Sequence, residues 1–122
     1  MALEFGTVVL VPFPFTNQMG MKRRPAVVVS SQMYASLRPD VVVLALTSRA
    51  PAAPTPLEFD LEDWRTAGLA KPSRVKPVAL TIERTVIASI LGALTPRDRV
   101  GLAQLLRNIL GDEVQVSPAS SR

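Results

Sequence analysis

Gly20-Met21-Lys22-Arg23-Arg24-Pro25-Ala26-Val27-Val28-Val29-Ser30 places a glycine, three consecutive cations and a proline directly before an apolar, β-branched run. Proline disfavours the helical region for the residue before it, so Arg24 is expected to be extended, and the valines anchor the backbone that follows in a core. The side chain is therefore aimed. A guanidinium held in this way suits a phosphate, which it grips with two parallel hydrogen bonds while keeping its charge at any working pH. A basic turn is also what an ordinary solvated hairpin presents, so the rest of the chain has to decide between the two readings.

Before this stretch, Thr7 to Val11 is β-branched and apolar, and Pro12-Phe13-Pro14-Phe15 closes a first strand at about Phe13, because prolines two apart cannot both sit inside a paired strand. Thr16 to Arg24 reads as a loop and Pro25 to Ser31 as the second strand. Ser31 to Asp40 lacks strand character and reaches a turn at Arg38-Pro39. Val41 to Leu46 is a continuous apolar run of strand length, the pattern of a strand buried on both faces, and it delivers Thr47, Ser48 and Arg49 at its end.

Three prolines and three alanines in residues 49–56 predict an extended loop. Leu57 to Leu61 alternates apolar and acidic residues, as a strand with one wet face does. Glu58, Asp60, Glu62 and Asp63 read as that wet face in preference to metal ligands, since carboxylates two apart are what any solvated edge offers. Trp64 to Lys71 reads as a loop whose tryptophan lids the core. Ser73 to Thr81 is extended again and carries Arg74 and Lys76 on one face. Ile87 to Leu94 is short and apolar. Thr95-Pro96-Arg97-Asp98 then supplies an N-cap, a proline at the first helical position and an acid at N3, close to a capping box. The helix runs to about Leu110 and stops at Gly111. Leu102, Leu105, Leu106, Ile109 and Leu110 form its apolar stripe, and Arg97, Arg99 and Arg107 its other side.

The 122 residues fit one domain, expected over residues 1–116, with a disordered tail at 117–122. Fourteen Lys and Arg against ten Asp and Glu give a formal charge of +4, and eleven of the fourteen cations are arginine. Such a balance permits polyanionic partners without proving them. With no cysteine, thiolate zinc sites and cysteine nucleophiles are excluded, and a reducing cytoplasm is the expected compartment. With no histidine, serine triads and histidine-based ribonuclease chemistry are excluded too. No apolar run approaches the roughly 20 residues of a membrane span, so no membrane partner is expected.

The strands bring one grouping together: Arg24 entering the second, Thr47 and Ser48 leaving the third, Arg74 and Lys76 along a later one. Hydroxyls and cations beside a cleft are phosphate-handling chemistry. An RNA 2′-hydroxyl can supply its own nucleophile once the phosphate is gripped in line, so no metal or other cofactor is needed.

Gly6 to Phe13, Lys22 to Ser30 and Val41 to Ser48, in this order and spacing, resemble the MazF/PemK family of toxin endoribonucleases. The Arg-Pro step before a valine strand is the most specific feature and the Thr-Ser after the next strand the second; beyond residue 48 the match is looser. The resemblance implies a mostly β fold, a small SH3-like β-barrel with a C-terminal helix. It implies the toxin of a type II toxin-antitoxin system, a homodimer that cuts single-stranded RNA without a metal through a 2′,3′-cyclic phosphate. An acidic antitoxin is the implied protein partner, and the pair as a complex is implied to bind DNA. Arg24 and Thr47 are carried over as the catalytic residues, with Arg23, Ser48, Arg74, Lys76, Arg84 and Thr85 binding substrate. Some PemK-like members place an arginine and, two residues on, a basic aspartate where this chain has Lys76 and Val78. Glu83 is the nearest carboxylate and the candidate base. Two alternatives stay open: a nucleic-acid-binding module on the same barrel that does not cut, and a protein-binding toxin similar to CcdB.

Overall fold

The computed structural model describes residues 3–13 and 22–111. Its strands are β1 (Thr7–Phe13), β2 (Lys22–Val28), β3 (Asp40–Ser48), β4 (Phe59–Asp60), β5 (Ser73–Glu83) and β6 (Ser89–Ala93). Two helices, α1 (Gln32–Leu37) and α2 (Pro96–Ile109), and a short 3-10 turn at Arg84–Val86 complete the described elements. The strands form one sheet in the order β4-β5-β3-β2-β1-β6, every pair antiparallel, curled into a half-barrel. Register shifts at Val8/Val9 and at Leu44/Leu46 sit where the sheet has to bend, as bulges do.

Alternation along the central strands builds two cores, one on each face. Val8, Val27, Leu44, Leu46 and Val75 point to the first, which α2 closes with Leu102 and Leu105. Val9, Val11, Ala26, Val28, Val41 and Val43 point to the second. The expectation that β3 is apolar on both faces holds for this reason. Trp64 packs against the first core as the expected lid, with the Arg65 guanidinium 4.7 Å from its ring centre.

Four local expectations are corrected. β2 begins at Lys22, not at Pro25, because its cationic end pairs with β1 as far as Phe13↔Lys22. It ends at Val28: the Val29 N–H still donates to the Val42 carbonyl at 2.9 Å, but the Val42 N–H turns to the Ser30 Oγ at 3.0 Å. Residues 32–37 form a helix, capped by the Ser31 Oγ accepting from the Tyr34 N–H, 3.1 Å. Asp98 closes no capping box: it is fully buried and accepts the backbone N–H groups of Glu62 (3.0 Å) and Asp63 (2.9 Å). Leu110, counted in the apolar stripe, is mostly exposed. The tail expected at 117–122 lies outside the described residues.

The loop between β4 and β5 is fixed by backbone. Gly68 has a positive φ of 87°, and a Cβ there would stand 2.0 Å from the Leu91 carbonyl oxygen; one on Gly92 would stand 2.5 Å from that of Ala67. Only glycine permits this approach, which seats the loop against β6 and sets the position of residues 69–73.

Candidate functional site

Pro25 organises the site. It pairs with Leu10 of β1 but has no N–H to offer β3, and the β2–β3 pairing ends one residue short of it, at Ala26↔Ala45. Two residues beyond that last rung, on the same face by period two, stand Arg24 on β2 and Thr47 on β3. Both are exposed, and both line the two cavities that flank this opening. One cavity, about 240 Å³, is walled by Pro25, Ser48, Leu69, Ala70, Lys71 and Ser73. The other, about 260 Å³, is walled by Phe13, Ala45, Lys76 and Val78. Arg24 has no acidic partner among the described residues, so its guanidinium is available. Arg23, on the other face of the strand, lines neither cavity.

Arg74, expected beside substrate, is spent on the protein itself. It pairs with Thr47 in register, yet only 5% of it is exposed. Its Nε donates to Asp60 Oδ1 at 2.6 Å, and its Nη2 to Asp60 Oδ2 at 3.2 Å and to the Ala52 carbonyl at 2.6 Å. The bond to Asp60 holds its pKa above the usual arginine value. Its structural work is to tie the proline-rich loop to the sheet. Lys76 does reach the second cavity, but it is ion-paired with Glu58, whose carboxyl the Lys76 hydrogen bond draws below its ordinary pKa. The wet acidic face is thus largely a set of partners for cations: Glu58 and Asp60 for these two, and Asp63 for Arg97, 2.8 Å.

Glu83, Arg84 and Thr85 belong to the far end of the molecule. β3 and β5 pair from Ser48↔Ser73 to Asp40↔Glu83. Seven residues of strand, about 24 Å, therefore separate the level of Thr47 from that of Glu83 within one chain. Arg84 donates to the carbonyls of Ala35 (2.8 Å) and Arg38 (2.9 Å) and so caps α1. Within the chain Glu83 therefore lies far from the Arg24–Thr47 cleft. Among the described residues no group of three or more carboxylates is placed to hold a metal ion. Sequence reasoning passed over Phe13 and Lys71, both cavity-lining; their signal was only adjacency to strand ends.

The model of the family described as PemK-like, MazF-like toxin of type II toxin-antitoxin system matches residues 4–110. The chain belongs to this family. Among solved structures the MazF-like toxin is similar to an endoribonuclease in complex with its cognate antitoxin from a mycobacterial species, with a TM-score of 0.70 at 20% identity over 91% of this chain and 97% of that one. It is similar also to the Mycobacterium tuberculosis toxin MazF-mt6, with a TM-score of 0.67 at 18% identity over 84% and 94%. At these identities the likeness shows the fold. A MazE–MazF structure from Deinococcus radiodurans gives a TM-score of 0.62 at 27% identity over 87% and 91%. No curated protein matches the chain by sequence. No helix among the described residues of this MazF-like toxin is long and apolar enough to cross a membrane.

Proposed function

We propose that this toxin is a metal-independent endoribonuclease that cuts single-stranded RNA at the Arg24–Thr47 cleft. One observation supports the reading: the exposed residues Arg24, with no acidic partner among the described residues, and Thr47 line both cavities at the point where β2 parts from β3. Arg24 grips the scissile phosphate and stabilises the charge that grows on its oxygens, while Thr47 donates to phosphate or ribose. The 2′-oxygen bonds to phosphorus as the bond to the 5′-oxygen breaks. The 2′ proton leaves to water and water protonates the departing oxygen, giving a 2′,3′-cyclic phosphate and a 5′-hydroxyl. Incubating the protein with mixed-sequence RNA in EDTA should produce those ends. Activity that appears only on adding a divalent metal would overturn the mechanism.

The working form we propose is a cytoplasmic homodimer, held inactive by an acidic antitoxin and binding DNA as that complex; the named antitoxin complexes of its neighbours support the protein partner. Sedimentation showing a monomer at tens of micromolar would count against the dimer. A second reading, RNA binding without cutting, is favoured by one fact: Glu58 and Asp60, the carboxylates beside Lys76 and Arg74, are engaged by those two cations. Intact RNA recovered from a tight complex would decide for it. The CcdB-like reading finds no support in Trp64, which is half-buried against the first core.

A further inference from the structure

The two cavities beside Arg24 and Thr47 differ in chemistry. Beside Arg24 and Thr47, which both cavities share, the one toward Phe13 and Val78 adds Lys76, and that cation already has Glu58 as counter-ion. The other is lined by Ser48 and Lys71, both exposed, and Lys71 has no acidic partner among the described residues. Lys71 is also unusually well placed for a surface lysine. The Ser73 Oγ donates to its carbonyl at 2.8 Å, the next residue's carbonyl accepts the Arg49 N–H at 2.8 Å, and the Gly68–Leu91 approach fixes the loop behind it. Its backbone is anchored at the cavity rim while its charge has no counter-ion among the described residues.

We infer that Lys71 and Ser48 form a second anion subsite, holding the RNA phosphate next to the one that Arg24 clamps. At about 240 Å³ the cavity lies below the usual range for a whole ligand site and suits one backbone unit. A phosphate there lies beside, not on, the reacting bond, so its binding energy is felt equally in ground and transition states: Lys71 sets KM and Arg24 sets kcat. The inference rests on the reading of the chain as an RNA-cutting toxin.

The test measures binding of an RNA with 2′-O-methyl groups, which cannot be cut, by fluorescence anisotropy across a salt series, alongside turnover of the unmodified RNA. For Lys71→Gln the slope of log affinity against log salt should shrink by about 0.7, the value for one lost single-strand phosphate contact. KM should rise about tenfold with kcat within about twofold, and Lys71→Arg should restore both. Arg107→Gln, an exposed cation on α2 that lines neither cavity, should leave the slope unchanged. A Lys71→Gln slope equal to wild type, whether or not affinity falls, overturns the subsite while leaving the RNA-cutting reading intact. Wild-type protein that neither binds nor cuts RNA overturns both.

Discussion

Replacing Arg24 by lysine keeps one positive charge at the cleft but removes the two-pronged donor, so it separates a clamp on the transition state from mere attraction of RNA. Losing such a donor costs on the order of 3 kcal/mol, about a hundredfold in kcat, with KM little changed. Thr47→Val should give the same signature, since it keeps the β-branched shape and loses only the hydroxyl. Arg23→Lys, on the other face of β2, should turn over normally; if Arg23→Lys abolished cutting while Arg24→Lys cut normally, the site would be one residue out of register. Arg74 gives the opposite pattern. Arg74→Met strips Asp60 and Glu58 of a buried partner and frees the Ala52 carbonyl, so Tm should fall in a thermal melt. A full-length drop in kcat at unchanged Tm would return Arg74 to the cleft.

The strands were legible because alternation and proline state their own limits: β1, β3 and α2 stand close to where the pattern puts them. α1 was not legible. It is six residues long, buries no side chain, and leaves Met33 and Leu37 exposed, so there is no apolar stripe to read. β2 gained its cationic end from pairing with β1, a partner no local pattern reveals. Asp98 misled for a related reason: its spacing after Thr95 fits a capping box, but the strongest unmet donors nearby belong to a loop 35 and 36 residues earlier in sequence. That assignment is testable. Asp98→Ala would take the acceptor from the N–H groups of Glu62 and Asp63 and should destabilise the fold by about 2 kcal/mol in denaturant unfolding; a loss below about 0.5 kcal/mol would mean that water serves those donors equally well. Gly101→Ala meets a different constraint, because its Cβ would come within 2.2 Å of the Phe59 ring. Overpacking of that kind costs about 1–3 kcal/mol, more than the helix propensity gained, so it should lower the unfolding midpoint, and a raised midpoint would show that Phe59 moves freely.

Arg24 and Thr47 were legible because each is attached to a strand with an obvious end, whereas the fates of Arg74 and Glu83 depended on which acids and which strand register the fold would bring to them. Charge pairing also governs how the whole fold meets acid. Asp40, at the start of β3, accepts from Arg38 (2.8 and 3.1 Å) and from the Tyr34 hydroxyl (2.8 Å), and these bonds lower its pKa from 3.8 to about 2. Asp63, at the foot of α2, is lowered equally, to about 2, by Arg97 and the Thr95 hydroxyl. A carboxylate whose folded pKa lies below its unfolded value binds fewer protons in the native state. Its stabilisation is complete above the unfolded value and is lost as pH falls through the folded one. Tm should therefore stay level from neutral pH to about 5 and fall between about 4 and 2. Both arginines are more than half exposed, so added salt should shrink the effect. The double variant Asp40→Asn, Asp63→Asn should start from a lower Tm at pH 7 and lose less of it on acidification. If the variant and the wild type fell in parallel through that window, the acid sensitivity would lie elsewhere, with the Glu58–Lys76 pair, whose carboxyl is also held below its ordinary pKa, as the next place to look.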